Sequence, residues 1–293
     1  MNFTALSHAL LLLLSLGFPS EAKSPAIRIS GSRTMSALTH RFTEWYEARN
    51  PGVSFSVDGN NPAQGFSSLI EAKTEITQSS RKVLGGEILA LRSRRKLEFL
   101  EIPVATEFAV IAVNSANLIR ALSVYDLRSI LSGRVKNWKQ VGGSDAPIVI
   151  FGRDESSEVR NLIDEEFMGD AAFSPSITAL STNSEVLSAV AGDARAIAFC
   201  DVDLHPPRGV RLIGIKASAS SEAIEPTGDN IRAHRYTLSR TLYYYFAGPP
   251  SPKLLKFADW VLSPEGQLVV EAVGLYPLGS ADREEARLKL RKP

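Results

Sequence analysis

With 293 residues, 44% of them hydrophobic and 22% charged, the chain has apolar material for one large globular unit or for two lobes with separate cores. Its 33 basic and 32 acidic residues leave a formal charge of +1, without the strong basic bias of a nucleic-acid or membrane surface. The only cysteine, Cys200, excludes an internal disulfide, so the fold must stand on its core.

At the start, the apolar run from Ala9 to Phe18 is too short to cross a hydrocarbon core of ~30 Å as a helix. Pro19 breaks it, and Ser20-Glu21-Ala22 offers small residues before a polar stretch. This layout predicts a secretory signal over residues 1–22 with cleavage after Ala22, although the segment before the run lacks Lys and Arg and carries only His8. No cysteine stands near that point to take a lipid. Export without an anchor points to the periplasm of a double-membraned bacterium.

Short strands and amphipathic helices then alternate. Ile27-Arg28-Ile29 runs into Gly31-Ser32-Arg33-Thr34, and Leu38, Phe42, Trp45, Tyr46 and Arg49 form one helical stripe that Asn50-Pro51-Gly52 stops. Val53, Phe55 and Val57 read as a strand ending in a loop through Pro62, and Phe66, Leu69 and Ile70 begin a second helix. Such β-loop-α units argue for an α/β fold with a largely parallel sheet. Phe108–Val113 reads as a strand buried on both faces, followed by a helix over Val124–Leu131. Ile148–Phe151 is another strand, leading through Gly152-Arg153-Asp154-Glu155-Ser156-Ser157 into a helix. Glu185–Ala191 reads as a helix, Ala196–Phe199 as a strand and Lys216–Asp229 as an irregular connection. The charged stretch after Ser280 reads as a frayed surface helix.

Gly31-Ser32-Arg33-Thr34, Gln78-Ser79-Ser80-Arg81 and Arg153-Asp154-Glu155-Ser156-Ser157 share one design, a strand, a hydroxyl-rich loop and then a helix. The first N–H groups of a helix lack intrahelical partners and attract anions, and Ser and Thr add neutral donors. One such loop alone is commonly no more than an N-cap. Three of them with two arginines supply the convergent donors that an oxyanion needs in place of water.

From about Ile27 to Leu278 the sequence resembles the periplasmic phosphate-binding proteins of ABC importers. Gly31-Ser32-Arg33-Thr34 is similar to that family's first anion loop, and Thr77-Gln78-Ser79-Ser80-Arg81 to its second. Ile102-Pro103-Val104-Ala105 with Val110–Asn114 resembles the strands that cross between lobes. Leu122–Gly143 carries the most specific match, with Leu131-Ser132-Gly133, Asn137-Trp138 and Gly142-Gly143 in family order. Asn183 with Ala196–Phe199, Tyr236–Arg240 with Tyr243-Tyr244-Tyr245, and Ser263–Gln267 with Gly274 and Tyr276–Leu278 complete it.

The resemblance implies a two-lobed periplasmic binding protein of type II, each lobe a mostly parallel sheet flanked by helices, with the ligand cleft between them. Residues 23–106 and 214–280 would form the first lobe, 107–213 the second, and 281–293 a charged tail. It implies a monomer that binds inorganic phosphate or a similar oxyanion and delivers it to a membrane ABC permease and ATPase complex, with no cofactor, metal or nucleic acid and no enzymatic activity. The matched binding positions are Thr34, Ser80, Arg153, Ser156 and Ser157, with Ser32, Ser79 and Arg81 behind them. Histidines 40, 205 and 234 stand alone, and no nucleophile elbow or phosphate-cradling Gly-Lys loop is present.

Two departures matter. Asn61-Pro62-Ala63 offers no hydroxyl where the family has Gly, Ser, Gly, and Glu158-Val159 stands where the family has Gly and Thr. A carboxylate about 5 Å from an anion repels it by roughly 3 kcal/mol at an effective dielectric of 20, on the order of a hundredfold in affinity. Glu158 could face the cleft or point outward, where it would suit the helix dipole. The two altered loops motivate the rival function, a protein with a degenerate anion site that acts as a sensor or adaptor or binds a different, organic or larger, ligand.

Overall fold

The computed structural model describes residues 26–201 and 204–291. The predicted export signal lies outside them. The first run comprises β1 (Ile27–Ser32), α1 (Ser36–Arg49), β2 (Phe55–Asn60), α2 (Pro62–Ile70), β3 (Ile76–Ser79), α3 (Gly85–Arg95) and β4 (Phe99–Phe108). Helix α2 starts four residues earlier than the apolar stripe suggested. Asn61 is its N-cap, accepting from the Gln64 N–H at 3.0 Å, and Pro62 takes the first helical position, where its missing N–H costs nothing.

The middle run is β5 (Val110–Asn114), β6 (Ala121–Ser123), α4 (Val124–Leu131), β7 (Val149–Arg153), α5 (Glu158–Ile163), β8 (Thr178–Leu180), α6 (Asn183–Gly192) and β9 (Ala196–Cys200). Ser123 with Asp126 and Thr182 with Glu185 form capping boxes that fix the starts of α4 and α6. Helix α5 passes straight into a π-turn over Asp164–Met168. Next come β10 (Val210–Leu212), β11 (Gly214–Lys216), β12 (Ala223–Ile224) and α7 (Gly228–Arg232). The chain ends with β13 (Ser239–Ala247), α8 (Pro252–Val261), α9 (Pro264–Ala272) and α10 (Ser280–Arg291).

Two five-stranded sheets carry the molecule, in orders β2-β1-β3-β13-β4 and β10-β5-β9-β7-β8, with a small third sheet β12-β11-β6. Each large sheet is mixed rather than mostly parallel. The β-loop-α units give the parallel pairs β1–β2, β1–β3, β7–β8 and β7–β9, whereas β4, β5, β10 and β13 join antiparallel. These last strands lie in or next to the passages between the two sheets, so the chain's entry and return run in opposite senses. A single residue, Ala109, separates β4 in the first sheet from β5 in the second, and its N–H donates to the Leu238 carbonyl at 2.9 Å, just before β13 returns.

Each sheet has its own apolar core. One gathers β1, β4 and β13 with α1, α8 and α9 around Phe42, Tyr244 and Phe257; the other gathers β5, β7 and β9 with α4 and α6 around Trp138, Leu162 and Phe199. Ile215, Ile231, Tyr236 and Leu238 belong to the second core, so the segment expected in the first lobe from residue 214 packs with the second as far as Leu238. Helix α10 is not frayed. Ala286 and Leu290, four residues apart, are buried in the first core, and Arg287 pairs with Asp259 at 3.2 Å.

Candidate functional site

The edges of the two sheets meet over a cavity of about 250 Å3. Thr34, from the turn entering α1, and Leu38, in the first turn of α1, form one wall; Arg153 at the end of β7, Ser156 and Ser157 in the turn after it, and Glu158 and Val159 at the start of α5 form the facing wall. Glu107 and Phe108 at the end of β4, Asp201 after β9, and Val273–Leu275 close the rest.

The first wall depends on backbone that only glycine tolerates. Gly31 has φ +138°, and a Cβ there would fall 2.0 Å from the Gln78 carbonyl oxygen. Ser32 can then lie buried behind Thr34, its hydroxyl 2.7 Å from Thr34 Oγ1 and 3.2 Å from Ser80 Oγ, while Gln78 Nε2 donates to the Ser32 carbonyl at 2.9 Å. Ser32 and Ser80 therefore orient Thr34 from behind and do not line the cavity. Ser79 is fully buried, its hydroxyl donating to the Arg81 carbonyl at 2.7 Å. Arg81 is turned elsewhere. Its guanidinium forms a two-point pair with Glu87 at 2.7 and 3.0 Å and lies 5.1 Å above the Phe66 ring. Of the first two predicted loops, Thr34 alone lines this cavity, and Arg33 joins it in the lining of an adjoining one.

On the second wall all of the predicted residues line the cavity. Arg153 Nη1 donates to Asn183 Oδ1 at 3.0 Å and to Asp201 Oδ1 at 3.1 Å, and Asn183 Nδ2 holds the Asp201 carbonyl at 2.9 Å. These contacts fix the guanidinium, yet Arg153 Nε is buried with no hydrogen-bond partner among the described residues. Ser156 donates to Asp154 Oδ1 at 2.6 Å. Ser157 caps α5 only by position; its Oγ caps no N–H and, in a residue 5% exposed, has no partner among the described residues.

Glu158 faces the gap, which answers the question its position raised. It lines the main cavity and also an adjoining one of about 380 Å3 with Thr34, Asn61 and Gln64, and its Oε2 is buried without a partner among the described residues. Burial raises its pKa above the usual carboxylate value, helped by the charges of Glu165 and Asp201 and opposed by Asn161 and Arg240. Pro62 lies outside both linings.

Sequence reasoning missed Glu107, Asp201 and Arg240. Glu107 and Arg240 sit opposite each other in the β4–β13 register, with Arg240 Nε donating to Glu107 Oε2 at 2.7 Å. Arg240 also reaches Glu165 at 2.6 Å and Glu166 at 3.2 Å, on the π-turn after α5. Burial pushes Glu107 up to about 7 despite Arg240, with Glu158 and Glu165 adding to the rise. Its Oε1 has no partner among the described residues. The one visible signal was a carboxylate directly before the apolar run Phe108–Val113. Tyr244 and Tyr245 prove structural, bonded to Thr39 at 2.8 Å and Glu101 at 2.6 Å.

Two lobes joined by paired strands, with convergent donors in the gap between them, define a solute-binding protein. A family model described as the PBP superfamily domain matches residues 18–265, and the chain belongs to that periplasmic binding protein superfamily, whose members of this kind bind solutes and are not enzymes. Within it the chain is similar to the phosphate-binding protein PstS of Pseudomonas aeruginosa, 24% identical over 272 residues that cover 87% of this chain and 84% of that one. It superposes on the crystal structure of a possible phosphate binding protein from Planctomyces limnophilus with a TM-score of 0.82, at 24% identity and 91% and 98% coverage. An ABC-type phosphate transport receptor from Vibrio cholerae gives a TM-score of 0.64 at 25% identity, with 85% and 99% covered. No helix among the described residues is long and apolar enough to cross a membrane.

Proposed function

We propose that the chain is an exported receptor that closes its lobes on a tetrahedral oxyanion of the phosphate class and presents it to an ABC importer in the periplasm. The lobes divide at the crossing strands, residues 26–106 and 239–291 against 107–238. The observation that carries this reading is that Thr34 of one lobe and Arg153, Ser156 and Ser157 of the other line one cavity. Ser157 Oγ and Arg153 Nε, both without partners among the described residues, are the groups a ligand oxygen would satisfy. The phosphate-binding names of the relatives in Pseudomonas and Vibrio support the same class of ligand.

Glu158 weakens the site for a bare dianion by the repulsion described above, so moderate rather than extreme affinity is expected for inorganic phosphate. Calorimetry of the mature protein with phosphate, arsenate, sulfate and molybdate tests the proposal. At least one of them should bind, and Arg153→Ala should weaken it by about tenfold to a hundredfold, as expected for a lost charge-assisted hydrogen bond. If all four give no heat and no thermal shift at millimolar concentration, oxyanion capture is wrong.

A further inference from the structure

The main cavity contains two opposite unmet demands. Among the described residues, Ser157 Oγ and Arg153 Nε are donors without acceptors, whereas Glu158 Oε2 and Glu107 Oε1 are acceptors without donors, all buried and all on residues lining the same space. Ser157 is 5% exposed and Glu107 4%, so solvent does not satisfy them. A bare oxyanion meets only the first demand. It would also leave two carboxylates facing added negative charge in a confined, poorly polarisable space.

Size points the same way. At ~30 Å3 per water-sized atom, a five-atom oxyanion fills at most on the order of 150 Å3. The cavity offers about 250 Å3. Space remains beside the oxyanion in a cavity whose lining includes both Glu107 and Glu158.

Resting on the oxyanion reading, we propose that the preferred ligand is a zwitterion, a phosphate or phosphonate group bearing a primary ammonium on a short chain. Thr34, Arg153 and Ser157 hold the oxyanion, and Glu158 with Glu107 receives the ammonium. One small molecule then satisfies both pairs of orphaned atoms, and Glu158 becomes a specificity-determining residue instead of a defect in a phosphate site.

The test is calorimetry on the full mature chain with 2-aminoethylphosphonate, O-phosphoethanolamine, ethylphosphonate, ethyl phosphate and inorganic phosphate. At least one amine-bearing compound should bind ten times or more tightly than its amine-free counterpart; which pair shows the gap tells a phosphonate from a phosphate ester. In Glu158→Gln that ratio should shrink to within about threefold of unity, and ethylphosphonate and ethyl phosphate, relieved of the repulsion, should bind more tightly. Equal affinities within both pairs in the wild type overturn the proposal whatever the variant does, as does a ratio that Glu158→Gln leaves unchanged. Phosphate binding with no gain from the amine would leave the oxyanion reading standing; no binding by any of the five would end this proposal, and the oxyanion reading would then fall only if arsenate, sulfate and molybdate also failed to bind.

Discussion

Arg153 is held on one edge and, among the described residues, unpartnered on the other, an asymmetry that suits the ligand role proposed for it. Asn183 and Asp201 spend Nη1 while Nε stays unbound. Arg81, of the same residue type, is spent on Glu87. The sequence shows both arginines after hydroxyl-bearing or strand residues, and nothing in residue type separates them; only the partner six positions downstream does. Glu107 has a different consequence. Its carboxyl is raised from 4.5 to about 7 by burial, so between those values the folded state holds a proton that the unfolded chain has released. Stability from this group is complete below the unfolded value and fades as pH rises through the folded one. Without ligand, the thermal midpoint should fall as pH is raised from about 4.5 to about 7. Glu107→Gln should flatten that part of the profile, and an equally steep decline in the variant would refute the assignment.

The element that sets the first wall is the packed trio of β1, α2 and β3. Gly31 lies against the Gln78 backbone, and a Cβ on Gly65 would come 2.7 Å from Gly31 Cα. Gly31→Ala should therefore destabilise by on the order of 2–4 kcal/mol. Gly52→Ala, at φ +88° with nothing within 4 Å, should suffer only the backbone penalty of about 1 kcal/mol. Urea unfolding of both checks the difference, and equal midpoints would contradict the contact. Element type and order were legible from periodicity, and α4 falls where the pattern put it, at Val124–Leu131. Thr34, Arg153, Ser156 and Ser157 could be picked out as cavity-lining candidates because each lies in or at the edge of a short strand-to-helix connection. Glu107 and Arg240 were not, because they are 133 residues apart and only the β4–β13 register makes them neighbours. The tail misled because its many charges outweigh, in a linear reading, the pair Ala286 and Leu290 that actually docks it.

Across the whole molecule, Arg240 ties the two lobes. It is anchored to Glu107 within the crossing strands and extends to Glu165 and Glu166 on the far side. On the proposed closure of the lobes, the far contacts would break as the lobes part and so favour the closed form. Glu165→Gln with Glu166→Gln should open the unliganded protein, read as a larger radius of gyration by small-angle X-ray scattering, and should weaken ligand binding several-fold through the added work of closure. An unchanged radius would mean that these pairs do not set the resting state. The sealed position of Cys200 has a practical corollary. Lying inside β9 with burial pushing its thiol up to about 12, it should resist alkylating dyes in the native state. A cysteine placed at exposed Ala37, on the rim of the cavity, would then be the single taggable sulfur of the folded protein. An environment-sensitive fluorophore there would report occupancy optically, turning the receptor into its own assay.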